Sequence, residues 1–285
     1  MKTKDIGLAI LIMAIWGFNF SVIKLGADQI NPVMLTALRF TFAVFPAIFF
    51  IKRPTVKWRY LIGYGVCFGV GVWGMMTIAV SIGLSAGMAG VLLNLNIVTS
   101  LFLAKVFLKE SLSKTALLGV SFAIFGLVLS FLINDGSVPF KSIIFVLIAV
   151  CSWSLMGLII KRSATVQIFA FSVWGMLFAP LSLFTLAFII YGGTVFTSLP
   201  QQLNSSIWFS ILFQAYPTTL FGYWIYNRLL MQYPLSIVAP LSLTVPVFGL
   251  IGSAIFYQEH ITWPKLFVVV FILSGVVLNQ IRAKP

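Results

Sequence analysis

Two stretches of the chain resemble each other closely enough to decide its fold. Residues 107–129 read FLKESLSKTALLGVSFAIFGLVL, and residues 256–278 read FYQEHITWPKLFVVVFILSGVVL. At a constant offset of 149 residues, the matches include Glu110 with Glu259, Gly126 with Gly275, and Leu129 with Leu278. Trp16 and Trp153 match at a different offset, as a difference in loop length would produce. Self-similarity of this kind predicts a duplicated architecture.

Both stretches lie within a chain of long apolar runs. Of its residues, 61% are apolar and 8% are charged, whereas soluble domains are about a quarter charged. A hydrocarbon core roughly 30 Å thick needs about 20 apolar residues per helix. The runs that meet this requirement are 6–23, 32–51, 60–82, 84–107, 115–133, 142–160, 168–190, 206–229, 235–257 and 264–281. The sequence therefore predicts an all-α membrane protein with ten transmembrane helices.

The duplication divides these ten helices into two sets of five. We expect the first repeat to cover residues 1–134 and the second to cover residues 135–285. Because five is an odd number, the second repeat enters the membrane upside down. Inverted repeats are typical of secondary transporters that work by alternating access. A duplicated structural membrane protein without transport activity is the alternative from a different class.

The basic residues predict the orientation of the chain. The net charge is +13. With the N-terminus in the cytoplasm, 14 lysines and arginines fall inside and three fall outside, namely Lys24, Lys141 and Lys265, while Arg39 lies within a helix. This asymmetry follows the positive-inside rule. Both termini are therefore predicted to be cytoplasmic, and the partner of the basic surface is the lipid bilayer rather than a nucleic acid.

Short motifs in the first two helices resemble a known family. The first helix contains Trp-Gly-x-Asn-Phe at 16–20, and the second contains Leu-Arg-Phe at 38–40. Together with the acidic residue that closes helices 4 and 9, they resemble the EamA-type branch of the drug/metabolite transporter superfamily over nearly the whole chain. The runs FPAIFF at 45–50 and APLSLTVPVFGL at 239–250 resemble exporters of O-acetylserine and cysteine within that branch.

The resemblance implies efflux of small amino-acid-type metabolites across the bacterial inner membrane. The same fold could also serve another substrate, such as an aromatic amino acid, a vitamin or a nucleotide-derived compound. The sequence leaves open whether transport is coupled to protons by an unusual route or is facilitated diffusion, and whether the chain forms a homodimer.

Polar and aromatic side chains inside the predicted helices are the candidate substrate-binding residues. Polar groups are costly in lipid, so they face the bundle interior or a cavity. The candidates are Trp16, Asn19, Arg39, Trp73, Asn94, Trp153, Gln214, Thr218, Tyr223 and Ser242. Trp16 and Trp153 are favoured as cavity walls because the repeat makes them counterparts.

Several of these assignments have alternatives. Arg39 could pair with a substrate carboxylate, or it could have a structural role within the bundle. Asn94 and Asn96 point about 200° apart on a continuous helix, so only one of them is expected to face a given cavity. Trp174 sits as deep as the other tryptophans, whereas Tyr226 is expected at the membrane interface.

Prolines and glycines mark places where helices could bend or approach each other. Pro217 is expected to kink helix 8. The segment between Pro240 and Pro246 is a candidate gate. Gly65 and Gly69 have GxxxG spacing, which permits close helix packing or a hinge.

Enzymatic chemistry has no support in the sequence. It contains no metal-ligand cluster, P-loop or Ser/His/Asp set, and no carboxylate falls in a helix centre. Cys67 and Cys151 lie inside predicted helices and are expected to be packed thiols. We therefore expect a protein that is not an enzyme and that uses no metal or cofactor.

Overall fold

The computed structural model describes residues 1–108, 114–130, 132–133, 135–233 and 238–280. Within these residues, ten helical stretches follow the ten predicted spans. They are α1 (Thr3–Ala27), α2 (Pro32–Ile48), α3 (Trp58–Ser81), α4 (Ala86–Leu93 and Asn96–Leu108), α5 (Lys114–Ser130), α6 (Phe140–Ser163), α7 (Ile168–Met176 and Phe178–Tyr191), α8 (Ser205–Phe213, Gln214–Phe221 and Gly222–Gln232), α9 (Ala239–Thr244 and Val245–Tyr257) and α10 (Trp263–Gln280). Glu110, the beginning of the predicted ninth span and residue 281 lie outside the described residues.

Helix length and composition fit a membrane. Five of the described helices are long and apolar enough to cross one: Thr3–Ala27, Trp58–Ser81, Ala86–Phe107, Phe140–Ser163 and Ile168–Tyr191. Large apolar side chains also cover the outside of the bundle, with Phe50 87% and Phe140 80% exposed. So many exposed large apolar side chains are unusual on the surface of a soluble protein.

A π-helical segment interrupts α3 and α8 at equivalent places. In α3, nine α-helical residues precede the π segment Cys67–Gly74, and in α8 nine precede the π segment Gln214–Phe221. The two segments are both eight residues long and are 147 positions apart. At Pro217, where the sequence predicts a kink, the chain forms a π-helical turn. This turn accommodates the missing amide hydrogen-bond donor of proline and is a common cause of helix kinks.

The helices α4 and α9 are also interrupted at matching positions. The first piece of α4 ends at Leu93 and the second begins at Asn96. In α9, a 3-10 segment ends at Thr244 and an α-helix begins at Val245, which lies 149 positions after Asn96. The same offset relates the first residues of α5 and α10.

Helix packing follows the same pattern. The helix α1 packs on α9 and α8, and α6 packs on α4 and α3, while α5 pairs with α10 and α2 pairs with α7. Glycines permit several of these contacts. A Cβ atom on Gly65 would overlap the Gly175 carbonyl oxygen, and one on Gly69 would overlap Ala179. Gly65 and Gly69 therefore lie where α3 packs closely against α7.

The connection between α7 and α8 has secondary structure of its own. The segment 191–205 lies between two apolar runs of the sequence and contains the short helices Thr194–Thr197 and Leu199–Gln202. Phe196 and Leu199 pack against the edge of the apolar core. A one-turn helix has too short a pattern to be recognised from its sequence.

Candidate functional site

A cavity of about 390 Å³ lies in the middle of the bundle, between the two predicted repeats. Its size is within the range of small-molecule sites. Its lining residues are Trp16, Phe20, Trp73, Gly90, Leu93, Asn94, Asn96, Trp153, Thr218, Tyr223, Tyr226, Ser242, Val245 and Val276. They belong to α1, α3 and α4 in the first half of the sequence and to α6, α8, α9 and α10 in the second half.

Six of the fourteen lining residues are aromatic. The ring centroid of Trp16 lies 5.4 Å from that of Tyr223 and 5.2 Å from that of Tyr226. On another side, Trp73 lies 6.3 Å from Trp153 and 6.2 Å from Phe20. Such ring pairs prefer tilted or edge-to-face arrangements, which fix the walls relative to one another.

The break in α4 brings two amide side chains to this cavity. The side chain of Asn94 donates to the Gly90 carbonyl at 2.8 Å, and the helix ends there with a turn before Asn96. The Asn96 carbonyl accepts a hydrogen bond from Ser154 of α6 at 3.0 Å. Asn94 and Asn96 therefore both line the cavity, because the expectation that only one could do so assumed a continuous helix.

The π segment of α8 is hydrogen-bonded to α1. Trp16 Nε1 donates to the Thr218 carbonyl at 2.9 Å, and Thr218 Oγ1 donates to Asn19 Oδ1 at 3.0 Å. Trp16 and Thr218 reach the cavity, whereas Asn19 is fully buried behind them. These bonds position the polar wall of the cavity.

Arg39 lies behind the cavity wall rather than in it. Its guanidinium donates to Thr219 Oγ1 at 3.1 Å and to Gln214 Oε1 at 3.5 Å, and both acceptors belong to the π segment. The guanidinium carbon also lies 4.2 Å from the centroid of the Trp73 ring, a cation–π distance. In this conformation, Arg39 is completely buried and joins α2 to α8.

The helices α1, α4 and α9 close the bundle on one side of the cavity, toward an end that we call the Lys24 end (Lys24, Ser85, Asp135, Lys265). A Cβ atom on Gly17 would lie 2.6 Å from the Val245 carbonyl oxygen, and one on Gly87 would lie 2.6 Å from Ser253 Oγ. Tyr257 adds a hydrogen bond to the Ser21 carbonyl at 2.9 Å. The three helices therefore pack closely between the cavity and the Lys24 end.

The opposite end of the bundle is called the Tyr233 end (Lys2, Asp5, Tyr233). There, the interrupted helices α4 and α9 pack on different neighbours. The second piece of α4 packs on α6 and α5, whereas the 3-10 segment of α9 packs on α1 and α10. A hydrogen bond of 2.6 Å from the Tyr233 hydroxyl to Asp5 joins the ends of α8 and α1.

A second, charged pocket of about 370 Å³ occupies the Lys24 end. There, Lys265 pairs with Asp135 at 2.8 Å and donates to the His260 carbonyl at 3.0 Å. Partial burial alone would raise the pKa of Asp135, but hydrogen bonds from Lys265 and Ser137 outweigh it and lower the pKa below its ordinary value. The pair ties the segment between α5 and α6 to α10.

Seven of the ten candidate residues line the central cavity: Trp16, Trp73, Asn94, Trp153, Thr218, Tyr223 and Ser242. The other three, Asn19, Arg39 and Gln214, form the hydrogen-bonded layer directly behind it. Among the described helices, no carboxylate lies near this layer, because Asp5, Asp28, Asp135 and Glu259 are all close to helix ends.

Sequence reasoning misplaced Tyr226 and did not decide between cavity wall and packing for Trp174. Tyr226 lines the cavity instead of the membrane interface, because the π segment preceding it changes which face of α8 points inward. Trp174 does not reach the cavity; its Nε1 donates to the Ile51 carbonyl at 2.9 Å and its ring packs on Trp58. Phe20 was not singled out, although it closes the Trp-Gly-x-Asn-Phe motif.

Helices of membrane-spanning length around an aromatic and amide-lined cavity define a multi-pass membrane protein with a small-molecule site. The comparisons with known proteins agree with this class. The EamA-like transporter family matches residues 3–132 and 140–280. The chain therefore belongs to the EamA-like transporter family, and it is a transporter rather than an enzyme.

Two curated relatives are similar over nearly their full length. The probable amino-acid metabolite efflux pumps of Salmonella typhimurium (strain LT2) and of Escherichia coli (strain K12) are each 31% identical to this chain, with 98% of this chain and 95% of the relative covered. An uncharacterized transporter of Archaeoglobus fulgidus is 24% identical over 88% of this chain and 90% of its own length. A crystal structure of a protein with 17% identity superposes with a TM-score of 0.62, covering 98% of this chain and 96% of that one, and supports the fold.

Proposed function

We propose that this protein exports small amino-acid-type metabolites, of the cysteine and O-acetylserine class, across the bacterial inner membrane. The central cavity supports the proposal most directly, since both predicted repeats line it and its size suits a small molecule. The relatives described as amino-acid metabolite efflux pumps support the substrate class and the direction of transport.

The proposed mechanism is alternating access by two inverted five-helix repeats, residues 1–134 and 135–285. The matched π segments of α3 and α8 and the matched breaks of α4 and α9 support this division. With the termini in the cytoplasm, the Tyr233 end is cytoplasmic and the Lys24 end is periplasmic. The substrate enters from the Tyr233 end, and its release requires α1, α4 and α9 to separate at the Lys24 end.

The energy source of export is a separate part of the proposal. A carboxylate proton relay usually lies near the middle of the membrane, and the described carboxylates lie near helix ends. We therefore favour facilitated efflux down the substrate gradient over proton antiport. In proteoliposomes, an imposed pH gradient should leave the initial efflux rate unchanged, and a several-fold stimulation would show proton coupling instead.

The oligomeric state is measured separately. Light scattering of the purified protein in detergent decides between a monomer and a homodimer.

Efflux of labelled substrate tests the proposal. Proteoliposomes that contain the full chain are loaded with radiolabelled O-acetylserine or cysteine, and release is followed against protein-free liposomes. We expect faster release through the wild-type protein, and strongly reduced release for Trp153→Ala, which removes one cavity wall. Gly157→Ala is the matched control on α6, because no atom lies within 4 Å of the added Cβ. Release no faster than from empty liposomes for both compounds would refute the substrate class.

A further inference from the structure

Three buried N–H groups around the cavity have no hydrogen-bond partner within the described part of the chain. They are Asn19 Nδ2, Arg39 Nε and Trp73 Nε1. A buried donor without an acceptor loses its hydration without compensation, so such groups in a folded protein call for an explanation. All three are donors, and all belong to the layer formed by α1, α2, α3 and the π segment of α8. The layer therefore contains more hydrogen-bond donors than acceptors to pair with them.

The same layer contains an uncompensated positive charge. The two side-chain oxygens that accept hydrogen bonds from Arg39 belong to Gln214 and Thr219, and both are neutral. Among the described salt bridges, the acidic partners are Asp28 and Asp135, both at the Lys24 end. Because the interior of a membrane protein has a low dielectric constant, the guanidinium creates a positive potential in the neighbouring cavity.

Trp73 stands between this charge and the cavity. Trp73 lines the cavity, and the centroid of its ring lies 4.2 Å from the guanidinium carbon of Arg39. In this conformation, Arg39 is 0% exposed and Trp73 is 6% exposed. A rotation of the indole would therefore do two things at once: it would bring Nε1 to the cavity and uncover the guanidinium.

We propose that the cavity recognises its substrate through a carboxylate group, which binds at the Trp73 wall. Trp73 donates its N–H to the carboxylate, and the position of its indole decides whether Arg39 is covered. The positive charge of Arg39, on the far side of Trp73 from the cavity, attracts the carboxylate. The inference rests on the proposed function and specifies the part of the substrate that the site selects. It identifies Trp73 as the residue that touches the carboxylate, and it makes Arg39 a positioning residue that acts through Trp73 and the π segment.

Pairs of ligands that differ only in the carboxylate test the inference. The thermal stability of the purified full chain in detergent is titrated with O-acetylserine and its carboxamide, and with cysteine and cysteinamide. We expect the wild-type protein to bind each acid at least about tenfold more tightly than its amide. Trp73→Phe keeps an aromatic ring but removes the N–H, so it should reduce this preference to about threefold or less. Arg39→Lys, which keeps a charge but not the planar group stacked on Trp73, should retain part of the preference.

Arg53→Gln is the matched control, because Arg53 also stacks on a tryptophan, Trp58, at 4.0 Å, but outside the cavity. It should keep the full preference for acids. Equal binding of acid and amide by the wild type, no binding of either acid, or an unchanged preference in Trp73→Phe would overturn the inference. If an amide leaves proteoliposomes as fast as its acid, the function stands and the inference fails. If the acids bind selectively but are not released, the inference stands and the proposed function fails.

Discussion

At the scale of single residues, the hydrogen bonds of the α8 π segment determine how the cavity wall is presented. Arg39 reaches across from α2 to Thr219, and Trp16 reaches across from α1 to the Thr218 carbonyl. A sequence can identify such polar residues because they are rare in membrane helices. It could not show which of them touch the cavity, because a π segment shifts the helical register.

Replacing Thr219 by valine should destabilise the protein. The change preserves shape but removes the acceptor of the 3.1 Å bond from Arg39, leaving a buried charged donor less satisfied. We expect the free energy of unfolding to fall by about 1–3 kcal/mol, measured by reversible unfolding in mixed micelles. Thr185→Val is the control, since the Thr185 hydroxyl is exposed and bonds only within its own helix; its effect should stay within about 0.5 kcal/mol. Equal effects of the two substitutions would contradict a stabilising role for the Arg39 contact.

Replacing Gly222 by alanine should weaken substrate binding. The added Cβ would overlap Trp16 Nε1 and displace the indole from its bond to the Thr218 carbonyl. Because the displaced indole no longer forms its part of the cavity wall, we expect the dissociation constant to rise about fivefold, which corresponds to about 1 kcal/mol of binding free energy. Gly157→Ala should leave it unchanged. Unaltered binding by Gly222→Ala would mean that the position of Trp16 does not shape the site.

At the scale of helices, the interruptions of α4 and α9 have the largest effect on the site. Asn94 and Asn96 share the cavity wall only because α4 stops and restarts between them. The Pro240–Pro246 segment was predicted as a gate, and the structure has a 3-10 segment at Ala239–Thr244, although the side chain of Pro240 lies outside the described residues. The sequence showed the prolines but contained no comparable signal for the break at Asn94.

Close packing of α1 on α9 should hold the Lys24 end closed. In Gly17→Ala, the added methyl group would meet the backbone of α9 at the Val245 oxygen and the Gly249 nitrogen. We expect the helices to separate and the populations to shift toward a state open at the Lys24 end. A single cysteine introduced as Asn94→Cys, with Cys67 and Cys151 replaced, should then react several-fold faster with a membrane-impermeant maleimide added from that end.

Gly7→Ala provides the control for this experiment, because Gly7 is on the same helix and no atom lies within 4 Å of its added Cβ. It should leave the labelling rate unchanged. If Gly17→Ala labels no faster than Gly7→Ala, the packing of α1 on α9 is not the barrier on that side.

The ion pair between Lys265 and Asp135 should make stability depend on pH. Because the folded protein lowers the pKa of Asp135, its stabilising contribution is complete above the ordinary carboxyl pKa of about 4 and is lost as the pH falls through the lowered value. At pH 7, Asp135→Asn should therefore have a lower melting temperature than the wild type, and the difference should shrink below about pH 4. Asp28→Asn, which breaks the i,i+4 pair with Lys24, should have a smaller effect. If the melting temperature of Asp135→Asn stays below that of the wild type in acid, the ion pair is not the cause of the difference in stability.

At the scale of the whole molecule, composition predicted more than any motif. In the described part of the chain, apolar runs located ten helical stretches, and the ends that border described residues agree within a few positions, because membrane helices need a minimum apolar length. The resemblance of 107–129 to 256–278 predicted a division into two repeats, which stays a prediction. The arrangement of the bundle could not be obtained in this way, since the helix pairs depend on contacts between residues far apart in sequence.

The central claim is that the cavity between the repeats binds the exported metabolite. Protection of a cavity cysteine from labelling tests it most directly, with Asn94→Cys in the background lacking Cys67 and Cys151. O-acetylserine, which has no thiol, should slow maleimide labelling at position 94 in a saturable way. It should not affect Gly136→Cys, which lies in the pocket at the Lys24 end. If proteoliposomes release O-acetylserine while labelling at position 94 is unaffected at saturating concentrations, the substrate does not bind in this cavity and the account is wrong.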